Sequence, residues 1–190
     1  MNIGGIMKIN NVKTKEDILD FMKSNIKYGW IDIYGEKHEN TMINFRKLYR
    51  TSSIEEILES KLGTCIEQVN LMHYLCDIAN LDSKMYVTRI YEDENTNHTE
   101  DDVYMHCFIL VFENNKVYHI EHQNFEKIGI YEYKNEEEAI KTINKYYVKR
   151  SGGVSRPITI IKEVPVGINF KEFHRYINNL DEKQQNKCYN

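Results

Sequence analysis

The sequence predicts an α+β fold in which N-terminal helices pack on an antiparallel β-sheet. Three observations lead there. Apolar residues at helical spacing dominate the first part of the chain. Alternating β-branched and aromatic segments dominate the next part, and two of these segments, "YMHCFILVF" and "KVYHIEH", are separated only by Asn114-Asn115. Helices first and strands later is the order of an α+β domain, and Asn-Asn supplies the backbone freedom of a tight hairpin turn.

Taken in order, Thr14 is placed to cap a first helix carrying Ile18, Leu19, Phe21, Met22 and Ile26 on one side. Gly29 and Gly35 bracket a short extended piece that holds the only tryptophan, Trp30. Ser52 or Ser53, with Glu55 or Glu56 three residues on, opens a second, shorter helix. Thr64-Cys65-Ile66-Glu67 fits a capping box, with Thr64 at the N-cap and Cys65 as the first helical residue. Val69, Met72, Cys76 and Ala79 then follow on one face, with Leu71, Leu75 and Ile78 beside it. "KMYVTRIY" reads as a strand, and an acidic connection runs from Glu92 to Asp102. The hairpin strands come next. Asn135 opens a helix with three glutamates in its first turn, as the helix dipole prefers. Positions 157–164 read as a further strand and "GINFKEFHRYI" as a closing strand or helix.

The chain of 190 residues, 41% hydrophobic and 28% charged, suits one domain over positions 1–180, with 181–190 expected as a flexible tail. A net charge of −4 offers no basic field for nucleic acid or anionic lipid. The longest apolar run, "CFILVF", is too short to span a bilayer, and the N-terminus lacks a signal-peptide core. A cytoplasmic protein is the expectation, with its four cysteines as free thiols rather than a disulfide framework.

Cys65 carries the chemistry. A thiol at a helix N-terminus meets roughly half a positive charge and unpaired backbone N–H groups, both of which favour thiolate. It still needs a base, and the sequence offers seven histidines. The hairpin selects among them. If Asn114-Asn115 is a two-residue loop, facing positions sum to 229, and His106 lies one diagonal step from Glu121 on the same face. A carboxylate there can fix the imidazole's tautomer and stabilise its charged form. His119 falls on that face too and is a rival. His73 and Cys76, with Cys65 or Cys107, lack the paired short spacings of a structural zinc site, so no metal is expected. No phosphate loop, dinucleotide fingerprint or metalloprotease motif is present, so no cofactor is expected either.

"LGTCIEQVNLMHYL", "MHCFILVF" and "VYHIEH", in that order, resemble the transglutaminase-like (papain-like) cysteine enzyme superfamily. The upstream "IKYGWIDIYGEKHE" and "YRTSSIEEILESKLGTC" resemble small bacterial proteins of that group, and the resemblance spans roughly positions 26–138. It implies a transglutaminase-like fold and a triad in which Cys65, His106 and Glu121 match the family's nucleophile, base and acid. Glu121 departs from the commonest residue, Asp. The resemblance also implies an oxyanion role for Trp30, 35 residues before Cys65. The reading is a cysteine-dependent acyl-transfer enzyme, a protease, amidase or transglutaminase, acting on a peptide, a protein or a small amide. A binding module that has kept the fold and lost turnover is the alternative.

Overall fold

The computed structural model describes residues 9, 11–93 and 99–188, with the side chains of 186–188 left aside. In chain order the elements are α1 (Lys15–Asn25), β1 (Lys27–Ile31), β2 (Lys37–Glu39), α2 (Phe45–Leu48), α3 (Ile54–Ser60), β3 (Leu62–Gly63), α4 (Cys65–Ile78), β4 (Asp82–Tyr91), β5 (Val103–Glu113), β6 (Lys116–Glu121), β7 (Gly129–Tyr133), α5 (Glu136–Ser151), β8 (Val154–Ser155), β9 (Thr159–Ile161) and α6 (Phe170–Cys188).

The main sheet is antiparallel and runs β7-β6-β5-β4-β8, with β9 pairing a second stretch of β4. A smaller sheet, β2-β1-β3, joins β1 to β2 antiparallel and to β3 parallel. The helix starts follow the capping chemistry of the sequence. Thr14, Ser53 and Thr64 each close a capping box with the acid three residues on. Asn135 caps α5 over a first turn of Glu136, Glu137 and Glu138.

Strand alternation divides the core into two layers. Cys107, Ile109 and Val111 of β5 face α1 and α4, where they join Val69, Leu71, Met72 and Leu75. Phe108 and Leu110 face the other way, against Tyr86, Ile143 and Tyr147. The sheet is therefore covered on both faces, by the N-terminal helices on one side and by α5 on the other. That second cover goes beyond the expected N-terminal helix layer.

Asn114 and Asn115 have φ of +53° and +61° and close a two-residue turn. The pairing sums to 229, from Ile109 against Ile120 to Glu113 against Lys116.

The tail expected from position 181 is instead the continuation of α6, which runs to Cys188. Asp181 anchors it: the residue is 5% exposed, and its carboxylate accepts a hydrogen bond from Arg89 at 2.7 Å. A polar run at the end of a chain reads as tail because its one buried acid finds its partner far away, on β4. The acidic connection expected over 92–102 lies partly outside the described residues.

Candidate active site

Cys65 occupies the first position of α4. Thr64 Oγ1 accepts the Ile66 N–H at 3.3 Å, and the Glu67 carboxylate accepts the Thr64 N–H at 2.9 Å. Glu67 is itself 2% exposed and accepts a hydrogen bond from the Tyr49 hydroxyl. The helix start is thus locked from behind. Gly63 permits the close turn, since a Cβ there would stand 3.0 Å from Glu67 Cβ. The Cys65 N–H, at the head of the helix, has no partner within it.

β5 extends past the last paired residue of β6, leaving its edge open around Cys107 and His106. The Cys65 thiol sits at that edge. A hydrogen bond from the Cys107 thiol, a hydrogen bond and the charge of His106, and the Cys107 N–H together hold Cys65 well below the ordinary thiol range, against the opposing effect of burial. Cys107 moves the other way: burial, then the Cys65 hydrogen bond and charge, push it well above that range. One thiol of the pair is set to ionise and the other to stay protonated. Cys65 keeps partial exposure while Cys76 and Cys107 are buried.

His106 is 3% exposed, and its ring stacks on Tyr147 at a centroid separation of 3.9 Å. Its Nε2 lies 3.3 Å from Glu121 Oε2, which leaves Nδ1 for the thiol. Burial opposes the charged imidazole, but Cys65 and Glu121 prevail and raise its pKa to about 9. Glu121 is 1% exposed. It accepts the Asn124 N–H at 3.0 Å and the Tyr147 hydroxyl at 2.9 Å. Burial raises its pKa, yet the close approach and charge of His106, with smaller help from His119 and the Asn124 N–H, lower it to about 2. Cys65, His106 and Glu121, the three residues expected to form a triad, are therefore neighbours in the structure.

Trp30 does not join them. It is 1% exposed, donates its Nε1–H to the Thr41 carbonyl at 2.8 Å, and stacks on His38 with centroids 4.0 Å apart. Its only donor is spent, so the oxyanion role expected of it is corrected to a core role. An isolated tryptophan in a short strand is covered by whatever loop folds over it, and here that loop supplies the carbonyl as well.

The rival histidine, His119, is 5% exposed, with Nε2 3.6 Å from Glu121 Oε2. Burial lowers its pKa to about 4, so it remains neutral beside the same carboxylate that keeps His106 charged. Tyr147 is the participant that sequence reasoning missed. It lies 41 positions past His106 on α5, and only the packing of that helix over the sheet brings it to both His106 and Glu121.

The site opens into a cleft of about 900 Å³, largely apolar, whose walls include Tyr28, Met42, Phe45, Tyr104, Phe125 and Phe170. Met42 and Phe125 are well exposed at its rim. Among the described residues, the one group that brings three metal-ligand atoms within 4.8 Å is Asp32, Glu36 and His38, outside the cleft lining. Asp32 already spends Oδ1 on the Tyr34 and Glu36 N–H groups and Oδ2 on His38. No helix among the described residues is long and apolar enough to cross a membrane.

No family model and no curated protein matches this chain. Among solved structures it is similar to an arylamine N-acetyltransferase from Bacillus cereus described as having a unique Cys-His-Glu catalytic triad. The identity there is 16% over 62% of this chain and 46% of that one, with a TM-score of 0.38. It is also similar to arylamine N-acetyltransferase C from Bacillus anthracis, at 15% identity over 64% of this chain and 49% of that one, with a TM-score of 0.36. The chain spans about half the length of each.

Proposed function

We propose that this protein is a cysteine-dependent acyl-transfer enzyme of transglutaminase-like fold, working through Cys65, His106 and Glu121. The observation that carries the reading is the juxtaposition of a partly exposed thiol at a helix head with a buried imidazole that stands 3.3 Å from a buried carboxylate. A partly exposed thiol at a helix head is held toward thiolate, and the buried imidazole beside it is held toward imidazolium by a buried carboxylate. This is a resting thiolate–imidazolium pair, poised for attack without prior proton transfer.

The Cys65 sulfur attacks an acyl carbon, a C–S bond forms, and the carbonyl π pair moves to oxygen. The C=O bond re-forms as the leaving amine or alkoxide departs with the His106 proton. Neutral His106 then takes a proton from water or an amine, which attacks the thioester and releases Cys65. Water makes the protein a protease or amidase, and an amine makes it a transglutaminase or other acyltransferase. The apolar cleft suits a peptide segment or a small amide, its polar contacts limited to the few groups around the thiol.

The test uses p-nitrophenyl acetate as a generic acyl donor. The expected result is a burst of p-nitrophenol equal to the enzyme present, with an acetyl group mapped by mass spectrometry to Cys65. Loss of both in Cys65→Ala is expected as well. No burst, or an acetyl group mapped elsewhere, sinks the reading.

A further inference from the structure

We infer that the hydroxyl of Tyr28 is a catalytic oxyanion donor, acting together with the backbone N–H of Cys65. The inference rests on the acyl-transfer reading above. Any such reaction places negative charge on the former carbonyl oxygen, and donors fixed in advance around that oxygen contribute most to the rate. The helix head supplies one donor. A second must come from the cleft wall, and Trp30 is spent on Thr41.

β1 points to the replacement. It pairs in parallel with β3, Tyr28 against Gly63, two residues before the nucleophile. Alternation along β1 places Tyr28 on the same face as Trp30, one pleat nearer the cleft. Tyr28 lines the cleft with Cys65, whereas Trp30 does not. The Tyr28 ring is half-buried, yet among the described residues its hydroxyl has no hydrogen-bond partner. Several polar side chains around Gly63 and Cys65 are committed to one another. Gln68 donates to the Gly63 carbonyl at 2.7 Å and accepts from His122 at 2.7 Å, and Thr64 and Tyr49 both serve Glu67. Burial, and next the negative charge of Cys65, raise the Tyr28 phenol pKa, so the group keeps its proton and remains a donor at any working pH.

The chemistry asks for no transfer of that proton. As sulfur bonds to the acyl carbon, the oxygen gains the π pair and accepts hydrogen bonds from Tyr28 and from Cys65 N–H. When C=O re-forms, both bonds weaken and the leaving group departs with the His106 proton. Tyr28 thus binds the intermediate more tightly than the ground state, as a rate-enhancing contact must.

Tyr28→Phe removes one oxygen and keeps the ring, and the full chain can be compared in two reactions. Acylation by p-nitrophenyl acetate passes through an oxyanion; alkylation by iodoacetamide does not. The expected result is acylation slowed by about 100-fold, the lower end for losing one such donor. The iodoacetamide rate and its pH midpoint should be unchanged, which also reports an intact site. Unchanged acylation overturns the assignment. So does a shifted alkylation midpoint, since the phenol would then serve the resting thiolate. If wild-type Cys65 fails to react faster than Cys76 and Cys107 with either reagent, the acyl-transfer reading fails and takes this inference with it.

Discussion

His106 Nε2 stands 3.3 Å from Glu121 Oε2, within ion-pair reach but off the line of a good hydrogen bond. Two residues on adjoining strands, neither more than 3% exposed, share one charge interaction. Glu121→Gln keeps one acceptor oxygen, enough for the Asn124 N–H, replaces the oxygen that accepts from Tyr147 by an amide NH2, and removes the charge opposite imidazolium. The expected effect is a loss of acylation rate of about 100-fold or more. Hydrogen exchange across the β5–β6 hairpin should be unchanged. If Gln retains near-full activity, the carboxylate is structural and the Cys65–His106 pair acts alone.

The proposed thiolate–imidazolium pair spans the range between the ionisation of Cys65, held below the ordinary thiol range, and that of His106, at about 9. Alkylation by iodoacetamide should therefore be fast at neutral pH, with its midpoint below that of a free thiol. Acylation followed as kcat/KM should be bell-shaped and fall as the pH rises through about 9, where imidazolium loses its proton. In Glu121→Gln the falling limb should move to lower pH, because His106 loses the charge that raised it. A limb that stays in place would separate His106 from Glu121.

Thiol reactivity should rank by setting. In a Cys188→Ser background, which removes the thiol of the last helical residue, brief labelling at pH 7 should mark Cys65 ahead of Cys76 and Cys107. Burial pushes Cys76 to about 12, and Cys107 is held protonated beside Cys65. Peptide mapping checks the order, and equal labelling in the folded state contradicts it. Cys65→Ala should remove the fast label and leave the melting temperature nearly unchanged, because alanine suits a first helical position.

Trp30→Phe should lower stability and spare chemistry. The indole is 1% exposed, packs edge-on to Phe45 with centroids 5.4 Å apart, and satisfies the Thr41 carbonyl. Losing that volume and leaving a carbonyl without its donor should cost about 2–4 kcal/mol in denaturant unfolding. The rate per folded molecule should stay within a few-fold of wild type. A drop of 100-fold or more in a folded variant would return Trp30 to the site.

Acid should destabilise the fold partly through His119. Its pKa is lowered to about 4 by burial, so between about 6.5 and 4 the unfolded chain binds a proton that the folded one refuses. Stability contributed by neutral His119 is complete above about 6.5 and is lost as the pH falls toward 4. Glu121, lowered to about 2, contributes stability above the ordinary carboxylate range and loses it as the pH falls through 2. His119→Gln should flatten the first part of this decline in urea titrations from pH 7 to 4. An identical slope in both proteins would show that His119 is not the group responsible.

Much of the site was legible in the sequence because its parts are local. A capping box fixes Cys65 at a helix head from residues 64–67 alone. A two-residue Asn-Asn turn fixes the parity of His106 and Glu121 through chain geometry. The α+β class follows from period and order for the same reason. Other features depended on which distant segments come to rest together. Trp30 was assigned by its distance in sequence, but the loop containing Thr41 covered it, while Tyr28, two residues earlier, lines the cleft with Cys65. Tyr147 reached His106 and Glu121 only because α5 packs across the sheet face opposite α4. The end of the chain read as a tail because nothing near Asp181 could pair with it, whereas Arg89, 92 residues earlier, could. Local hydrogen bonding and side-chain alternation set which groups a segment can present. Long-range packing, which no short window of sequence contains, decided which of those groups remained free to act.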